Sequence, residues 1–394
     1  PNWGTLSGIH ATIGGGLSQN SIFWGSGRYG SAADSVIGLA VVLADGSVVS
    51  TGAGSQVNGT PFFRHFGPDL TGLFCCDTGA LGFKATATLK LIPELSTQRY
   101  YSCEFDNAGA MMRAMSEISR RGLAMECFGF DPFLTAQRLQ RESLMNDVKA
   151  LAGVMKASGS VLGALKDGAK IALAGRGFLD KASFSLHLMF EEDGEQLAEA
   201  RLAAAREIVI AAGGEEIENS IPKILRANPF TPLNNVVGPR GERWGPIHVL
   251  VPHSKAAAMH DAINAVLEQH QAMIAQHDVG VGFLYATVGH STFVLEPVFY
   301  WPDAMTEIHR RTVEPAVLEK LPGFEADPEA RAAVELLRRE FLAAFRQHGG
   351  VHMQIGRTYP YIDAIQPGAR ALIEALKAAV DPDGRVNPGS LGLG

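Results

Sequence analysis

The sequence predicts an α+β fold, and the prediction rests on two observations. From about residue 96 to residue 347, strand-like segments alternate with amphipathic helical segments, which is typical of an antiparallel sheet flanked by helices. The chain on either side of this stretch is rich in glycine and turn-forming sequences. Since 394 residues exceed what one compact core usually holds, we expect a first domain over 1–95, a second over 96–349 and a returning segment over 350–394.

The glycine-rich first region predicts strands joined by tight turns. Residues 36–43 are mostly apolar, Asp45-Gly46 is typical of a hairpin turn, and 47–51 form the returning strand. Apolar and polar residues then alternate through 83–91, as in a half-buried strand. The segment 67–83 is glycine-rich and has few large polar side chains, which suits close approach of the backbone to another group.

The remaining elements follow from hydrophobic periodicity. Strands are expected at 100–105, 125–130, 184–190, 247–251, 279–288 and 292–300. Helices are expected at 108–121, 133–151, 195–212 and 255–276, all on one face of the sheet. Towards the C-terminus we expect a helix at 329–347, a strand at 351–355 and a helix at 364–380.

Composition excludes several classes of protein. A formal net charge of −7 argues against a nucleic-acid-binding surface. The apolar runs are shorter than the roughly 20 residues of a membrane span, and no segment resembles a signal peptide. The four cysteines lack metal-binding spacing, so we expect unpaired thiols and a reducing, cytoplasmic compartment: Cys75, Cys76, Cys103 and Cys127.

Three separated segments resemble one family. They are HATIGGGLSQNSIFWGSGRYGSAADSVIGLAVVLADGSVVSTGAG at 10–54, GPDLTGLFCCDTGALGFKATATLKLIPE at 67–94, and the terminal DPDGRVNPGSLGL. In this order they resemble the FAD-dependent oxidoreductases of the vanillyl-alcohol oxidase and p-cresol methylhydroxylase superfamily. The more similar branch contains D-lactate dehydrogenase, the glycolate oxidase flavin subunit and alkyl-dihydroxyacetone-phosphate synthase. The resemblance covers both ends of the chain strongly and the middle loosely.

The resemblance implies an FAD-binding domain of the vanillyl-alcohol oxidase type and an α+β cap domain. In such proteins main-chain groups bind much of the FAD, and glycine lets the backbone come close with free N–H groups. One wall of the cofactor site would then contain Thr12, Ile13, Gly14 and Gly15, with Ser18 and Asn20 close by. Asp69 and Leu70 would lead into a helix, and the other wall would contain Gly72, Gly79 and Gly82, with Asn387 returning near the flavin ring. The alternative is that these glycines serve hairpin turns and tight strand contacts.

Two departures from the family pattern change the expectation. Many relatives have a glutamate where this chain has Thr78. Relatives also have an N-terminal lobe with a Gly-rich pyrophosphate loop, whereas this sequence begins with PNWGTLSGIHATIGGG and has no initiator Met. We interpret the N-terminus as a cut and expect about half of an FAD site. A truncated, non-catalytic subunit that needs a partner for the missing lobe is therefore one alternative function.

Oxidation of an alcohol requires a base for the hydroxyl proton, and an acidic substrate also requires a cation. If 351–356 is a strand, His352 and Gln354 share a polar face beside Arg357, Tyr359 and Tyr361. We expect His352 to act as base or polariser, and Arg243 or Arg357 to hold the substrate carboxylate. The alternatives are an Arg243 paired with Glu242 or a surface carboxylate, and a buried, hydrogen-bonded His352 with surface tyrosines.

The metal-binding pattern of the family's 2-hydroxyacid dehydrogenases is broken here. Only His290 of a two-histidine motif is present, and Met353 stands where another ligand is expected, which leaves His290, Glu296 and His352. We expect no tightly held metal. The predicted function is FAD-dependent oxidation of a hydroxy acid or alcohol by hydride transfer to flavin N5, with oxidation of phenolic alcohols as the alternative within enzymes. The implied partners are a small-molecule substrate and an electron acceptor, and either a homodimer or a partner subunit is compatible with the sequence.

Overall fold

The computed structural model describes residues 8–22, 24–145 and 183–393, so the predicted helix over 133–151 lies partly outside the described residues. The chain divides into two compact units. The first unit contains residues 1–25, 29–94 and 352–394, and the second contains 26–28 and 95–351. The first unit is therefore built from both ends of the chain. That these units are an FAD domain and a cap stays a prediction.

The first unit contains a three-stranded antiparallel sheet. Its central strand β1 (Val36–Val42) pairs with β2 (Val48–Ser50) on one side and with β3 (Phe83–Leu89) on the other. The predicted hairpin and the predicted alternating strand are thus present with slightly shorter bounds. Helices α1 (Ile13–Gln19), α2 (Ser26–Tyr29) and α3 (Leu70–Leu73) lie in the same part of the sequence, and residues 26–28 of α2 belong to the second unit.

The C-terminal helix completes the core of the first unit. Helix α13 (Pro367–Val380) packs against a cluster of buried side chains that come from α1, β1 and the segment before β3. The fully or almost fully buried members are Leu17, Val36, Leu39, Val41, Phe74 and Leu81, and the helix contributes Ile373, Leu376 and Val380. The end of the chain therefore packs with residues near its beginning.

Helix α1 contains three consecutive glycines, which favour helix poorly, and only turns were expected here. Two contacts hold it. The Thr12 hydroxyl accepts a hydrogen bond from the Gly15 N–H (3.0 Å), which caps the helix, and Leu17 is completely buried. A Cβ at Gly14 would lie 3.2 Å from the Lys84 carbonyl oxygen. Glycine at this position therefore lets α1 lie directly against β3.

The second unit is built on an eight-stranded sheet. Its strands are β4 (Thr97–Phe105), β5 (Glu126–Phe130), β6 (Phe184–Glu192), β7 (Glu215–Ile217), β8 (Arg243–Pro246), β9 (Val249–Pro252), β10 (Gly280–Val288) and β11 (Thr292–Trp301). They are ordered β7-β4-β6-β5-β10-β11-β8, and β9 also pairs with β11. Neighbouring strands run antiparallel. The predicted antiparallel α+β architecture is thus confirmed.

Helices flank this sheet on both faces and not on one face as expected. They are α4 (Ala108–Arg120), α5 (Pro132–Met145), α6 (Glu195–Ala211), α7 (Ser220–Ala227), α8 (Ala256–Gln269), α9 (Gln271–Gln276), α10 (Glu307–Thr312), α11 (Pro315–Leu318) and α12 (Pro328–Gln347). Phe299 packs on Phe341 of α12 with ring centroids 5.4 Å apart, and Tyr300 packs on Phe133 of α5 at 5.9 Å. Because consecutive strand residues point to opposite faces, α12 and α5 lie on opposite sides. Among the described residues, no helix has the length and apolar character needed to cross a membrane.

Two expected elements differ from the structure. The helix expected over 255–276 is interrupted at His270, where α8 ends and α9 begins. The strand expected over 351–355 is wrong, since Val351 forms only an isolated bridge with Leu250. Gln354 (φ 50°) and Gly356 (φ 53°) then adopt left-handed conformations that turn the chain. Burial nevertheless alternates as expected: Met353 and Ile355 are buried, whereas His352, Gln354 and Gly356 are more exposed. Period-two burial therefore does not by itself identify a strand.

A buried lysine holds the C-terminal segment in place. Lys377 Nζ on α13 donates to Asp381 Oδ2 (2.5 Å) and to the carbonyl oxygens of Ala80 and Val386 (both 2.9 Å). The Asp381 carboxylate also accepts hydrogen bonds from the backbone N–H groups of Arg385 and Val386 (both 2.8 Å). One ion pair thus joins the last helix, the turn after it and the loop before β3.

We expect the free energy of unfolding of the first unit to depend less on pH, between pH 4 and 2, in Asp381→Asn than in the wild type. Burial acts to raise the pKa of Asp381, but hydrogen bonds from Lys377, Val386 and Arg385 outweigh it and lower the pKa from 3.8 to about 2. Because the folded-state pKa lies below the unfolded value, the carboxylate stabilises the fold fully above about pH 4 and loses this effect as the pH falls towards 2.

Denaturant unfolding followed by circular dichroism between pH 2 and 7 measures this effect. Asp381→Asn should be less stable at pH 7 and should lose less stability between pH 4 and 2 than the wild type does. Asp383→Asn, at an exposed residue paired with Arg385, is the control and should keep the wild-type profile. An Asp381→Asn protein with an unchanged acid slope would contradict the assignment.

Candidate cofactor and substrate site

Distant parts of the first unit meet at the C-terminal end of α1. Carbonyl oxygens of three successive residues accept backbone N–H groups from elsewhere in the chain: Leu17 from Cys76 (3.0 Å), Ser18 from Thr78 (2.8 Å) and Gln19 from Gln354 (2.7 Å). Helix ends leave such carbonyls without helical partners, so they are available for these bonds. The end of α1 is therefore the junction of residues 75–82, which we call the Gly79 loop, and residues 352–359, the His352 loop.

The C-terminal turn, residues 387–391, completes a ring of hydrogen-bonded loops around the end of α1. We call this ring the circuit. The Asn387 side-chain amide donates to the Thr78 carbonyl (2.7 Å), and the Ser390 hydroxyl contacts the same oxygen (3.2 Å). The Arg357 guanidinium in the His352 loop donates to the Pro388 carbonyl (2.7 Å). The Gly79 loop, the His352 loop and the terminal turn are thus hydrogen-bonded around one helix end.

Left-handed backbone conformations concentrate in this circuit. Six of the eight non-glycine residues with positive φ in the described part of the chain belong to it: Asn20, Cys76, Thr78, Gln354, Asn387 and Leu391. Such conformations cost on the order of 1 kcal/mol each, and most for a β-branched residue such as Thr78. Strained backbone of this kind clusters at functional sites. We therefore take these loops as the candidate site.

A buried carboxylate organises the Gly79 loop. Asp77 accepts hydrogen bonds from the N–H groups of Gly79 (3.0 Å) and Leu81 (3.2 Å), and it forms an ion pair with Lys84 of β3. Both side chains of this pair are almost fully buried. Sequence reasoning missed the pair, although an aspartate two residues before a glycine is typical of a side-chain-stabilised turn.

The structure brings together some of the predicted FAD-binding residues and separates others. Ser18, Gly79 and Asn387 lie in the circuit, and Thr12 to Gly15 form the start of the same helix. Asn20 also lies in the circuit as the C-cap of α1, but its Oδ1 accepts the Ala33 N–H (2.9 Å). Asp69 caps α3 by accepting the Gly72 N–H (3.0 Å), with Leu70 as the first helical residue.

Gly82 has a packing explanation. A Cβ there would lie 2.6 Å from Val41 Cγ1 on β1 and 3.0 Å from the Val42 carbonyl oxygen. A side chain would therefore collide with the neighbouring strand. This agrees with the alternative explanation of the glycines, in which they allow tight contacts between strands. The binding roles predicted for Gly82 and for the other glycines stay predictions.

Of the predicted substrate residues, three lie together in the His352 loop. The imidazole of His352 stacks on the ring of Tyr359, with centroids 4.1 Å apart and planes at 18°. Tyr359 is buried beneath it, whereas Arg357 is exposed and forms no ion pair with any described residue. This loop therefore presents a fixed imidazole and an uncompensated cation.

Arg243 belongs to the second unit and already has a carboxylate partner. Its Nη1 donates to Asp303 Oδ2 (2.7 Å), and the Asp303 side chain is completely buried. The sequence left open a pairing with Glu242 or with a surface carboxylate, and the observed partner is instead the buried Asp303. The arginine's predicted role in holding a substrate stays a prediction, and Arg357 is the stronger candidate because its charge is free.

The residues considered as metal ligands lie in different surroundings. His290 follows β10 in the turn to β11, and Glu296 lies within β11, where burial raises its pKa to about 7. His352 lies in the first unit. In residues 8–22, 24–145 and 183–393, no three His, Cys, Asp or Glu side chains form a group that could hold a metal ion.

Comparison with protein families agrees with the fold and the glycine-rich segments. Residues 2–52 match a family described as FAD binding domain, and residues 94–391 match FAD linked oxidases, C-terminal domain. The chain therefore belongs to the FAD-linked oxidases, and its cofactor is FAD.

One curated relative is the glycolate oxidase subunit GlcD of Bacillus subtilis (strain 168). It is 36% identical over 108 residues, which are 27% of this chain and 22% of the relative. This chain thus matches about a fifth of the relative's length.

Solved structures of low sequence identity share the fold. P-cresol methylhydroxylase with substrate bound has a TM-score of 0.65 at 16% identity, covering 99% of this chain and 70% of that one. 4-Ethylphenol oxidase from Gulosibacter chungangensis, in an isoeugenol complex, has 0.62 at 14%, covering 97% and 70%. Alkyldihydroxyacetonephosphate synthase has 0.62 at 13%, covering 98% of this chain and 60% of its own.

The circuit of loops contains a group that fits FAD. The side-chain oxygen Oε1 of Gln19 is buried and has no hydrogen-bond partner among the described residues. A buried acceptor left without a donor costs free energy, so its presence indicates a ligand that donates. FAD has hydroxyl and ring N–H donors that suit such an oxygen. Gln19 lies at the centre of the circuit, since its backbone carbonyl accepts the Gln354 N–H.

We expect Gly79→Ala to weaken FAD binding at least tenfold. Gly79 has φ 75°, and an added methyl group would meet only the Asn387 amide at 3.7 Å, so it would extend into open space beside the loop. Gly46→Ala is the matched control, because Gly46 has φ 85° in the β1–β2 hairpin and nothing lies within 4 Å of an added Cβ. Both substitutions carry the same kind of backbone strain, about 1 kcal/mol.

Quenching of flavin fluorescence on titration of each protein into FAD measures the dissociation constants. Gly46→Ala should bind FAD as the wild type does. Equal weakening in the two variants would mean that general destabilisation, and not the Gly79 loop, determines binding.

Proposed function

We propose that this chain is part of an FAD-dependent oxidoreductase that oxidises the CH–OH carbon of a 2-hydroxy acid or a related alcohol. The observation that carries the proposal is the circuit of strained loops that presents Arg357 and His352 together in the first unit. The relative GlcD, named as a glycolate oxidase subunit, supports a hydroxy acid as the substrate.

Arg357 would bind the substrate carboxylate. Its guanidinium uses Nη2 to donate to the Pro388 carbonyl, which fixes its position and leaves its other N–H groups for a ligand. A planar guanidinium matches a carboxylate with two parallel hydrogen bonds. The exposed position of Arg357 allows a substrate to reach it without displacing a protein carboxylate.

His352 would accept the hydroxyl proton of the substrate on an imidazole nitrogen. Stacking on Tyr359 fixes the plane of the ring. We propose that the Gly79 loop and the start of α1 hold the cofactor together with Asn387, as predicted, and with Gln19, which the structure adds. When bound, FAD supplies the hydride acceptor at N5.

We expect His352→Ala to slow reduction of the bound flavin by about 10²–10⁴, the usual contribution of a positioned acid–base group. Stopped-flow absorbance of the FAD-loaded enzyme mixed with substrate measures the rate. Arg385→Gln, which removes an exposed charge paired with Asp383, is the control and should leave the rate unchanged. A normal rate in His352→Ala would exclude it as the base. Treatment with a chelator should leave the wild-type rate nearly unchanged, since we propose no metal.

A second candidate function is oxidation of phenolic alcohols. P-cresol methylhydroxylase and 4-ethylphenol oxidase share the fold, and the His352 loop contains two tyrosines, Tyr359 and Tyr361. In this case Arg357 would bind a phenolate oxygen in place of a carboxylate. Arg357 and His352 would then act on a different class of substrate.

Anaerobic reduction of the bound flavin distinguishes the candidates. We expect 2-hydroxy acids such as glycolate and D-lactate to reduce it, and Arg357→Gln to raise KM for them at least tenfold, because a charge-assisted pair is lost. Reduction by 4-alkylphenols and not by hydroxy acids would favour the phenolic function. If neither class reduces a fully loaded flavin, the proposed activity is wrong and a non-catalytic role is favoured.

A further inference from the structure

Arginines gather around one buried aspartate in the second unit. Asp303, just after β11, accepts hydrogen bonds from Arg243 Nη1 (2.7 Å) and from Arg331 Nε and Nη2 (both 2.9 Å). The backbone N–H of Asp327 also donates to Asp303 (3.1 Å). One carboxylate thus accepts hydrogen bonds from two guanidinium groups.

A third arginine lies beside the cluster without an acidic partner. A Cβ built on Gly245 of β8 would lie 3.4 Å from Arg338 Nη1 and 3.3 Å from Cη2 and Cζ3 of Trp301. Arg338 is therefore close to the indole ring. It forms no hydrogen bond or ion pair with any residue in the described part of the chain. Arg243 lies over the same ring, with Cζ 5.5 Å from its centroid.

The indole itself has an unused donor. Trp301 is 7% exposed, and its Nε1 has no hydrogen-bond partner among the described residues. An indole nitrogen can only donate, and so can a guanidinium group. Neither group therefore has an acceptor in the described part of the chain, and a negatively charged acceptor would suit both because Arg338 is a cation.

A neighbouring histidine lies close to the same charged groups. Burial lowers the pKa of His309 on α10, and the charges of Arg243 and then Arg310 lower it further, against the opposite effects of the Thr306 backbone and Asp303. The other acidic group nearby, Asp327, caps α12 through the N–H groups of Glu329 and Ala330 and lies close enough to act on Arg331. Neither carboxylate contacts Arg338.

We propose that Arg338, Arg243 and the Trp301 indole N–H form a binding site in the second unit for an oxyanion, the carboxylate or phosphate group of a small molecule. Arg338 and Trp301 supply free donors, and Arg243 adds charge while Asp303 holds it in place. The site is separate from the FAD and substrate residues of the proposed function, and it does not depend on that function.

Isothermal titration of the whole protein with inorganic phosphate, and separately with malonate, tests the site. Sodium chloride holds the ionic strength constant in both titrations. We expect saturable binding of at least one of the two anions, with about one site per chain. Preference for phosphate indicates a phosphorylated ligand, and preference for malonate indicates a carboxylate ligand.

Substitutions assign the binding to these residues. Arg338→Gln should weaken binding about tenfold or more, because one charge-assisted donor is lost. Trp301→Phe should also weaken binding while keeping the aromatic ring. Arg339→Gln, at the exposed neighbouring residue of α12, is the matched control and should bind as the wild type does.

Either of two results would overturn the proposal: no saturable binding of either anion to the wild type, or wild-type affinity in Arg338→Gln. Neither titration involves flavin or substrate. Failure of this site is therefore distinguishable from failure of the proposed oxidoreductase activity.

Discussion

The ion pair between Asp77 and Lys84 fixes the Gly79 loop, and the rest of the candidate site depends on that loop. Glycine-rich segments lose much conformational entropy on folding, so they require strong local contacts to hold one conformation. Asp77 supplies three, and removal of Lys84 would leave a buried charge uncompensated at a cost of several kcal/mol. With the loop held, Thr78 can use its N–H for α1 and its carbonyl for Asn387.

A second lysine–aspartate pair extends the same arrangement to the C-terminus. Lys377 binds the Ala80 carbonyl within the Gly79 loop and the Val386 carbonyl just before the terminal turn. The two pairs therefore hold one short loop from both sides, through residues nearly 300 positions apart. Arg357 depends on both, because its anchor is the Pro388 carbonyl in the turn that Lys377 and Asn387 position.

Periodicity predicted the elements whose stability is local or whose burial is regular. The hairpin around Asp45-Gly46, the alternating β3 and most strands and helices of the second unit belong to this group. Helix α1 was missed because its stability comes from the Thr12 cap and from packing on β3, which overcome the poor propensity of three glycines. The strand expected at 351–355 failed because alternating burial also occurs in a turn containing left-handed Gln354.

Candidate site residues were predictable where a motif named them and unpredictable where a distant partner decided their role. The resemblance placed Asn387 close to the glycine-rich loop, and its amide contacts Thr78 there, whereas His352 and Arg357 were predicted from a strand at 351–356 that the structure does not contain. The pairing of Arg243 with Asp303 joins residues 60 positions apart, and nothing in the local pattern of either predicts the other. Gln19 was absent from the prediction for a related reason, since an unfilled hydrogen bond is visible only in three dimensions.

Because the first unit combines residues 29–94 with residues 352–394, its core cannot close until helix α13 has left the ribosome. Residues 95–351 are contiguous and complete earlier, so the later part of the sequence folds before the earlier part can. During synthesis, the apolar side chains around β1 stay uncovered until Ile373, Leu376 and Val380 have been made. Until α13 covers it, the apolar surface around β1 is open to contact with other chains, which favours aggregation.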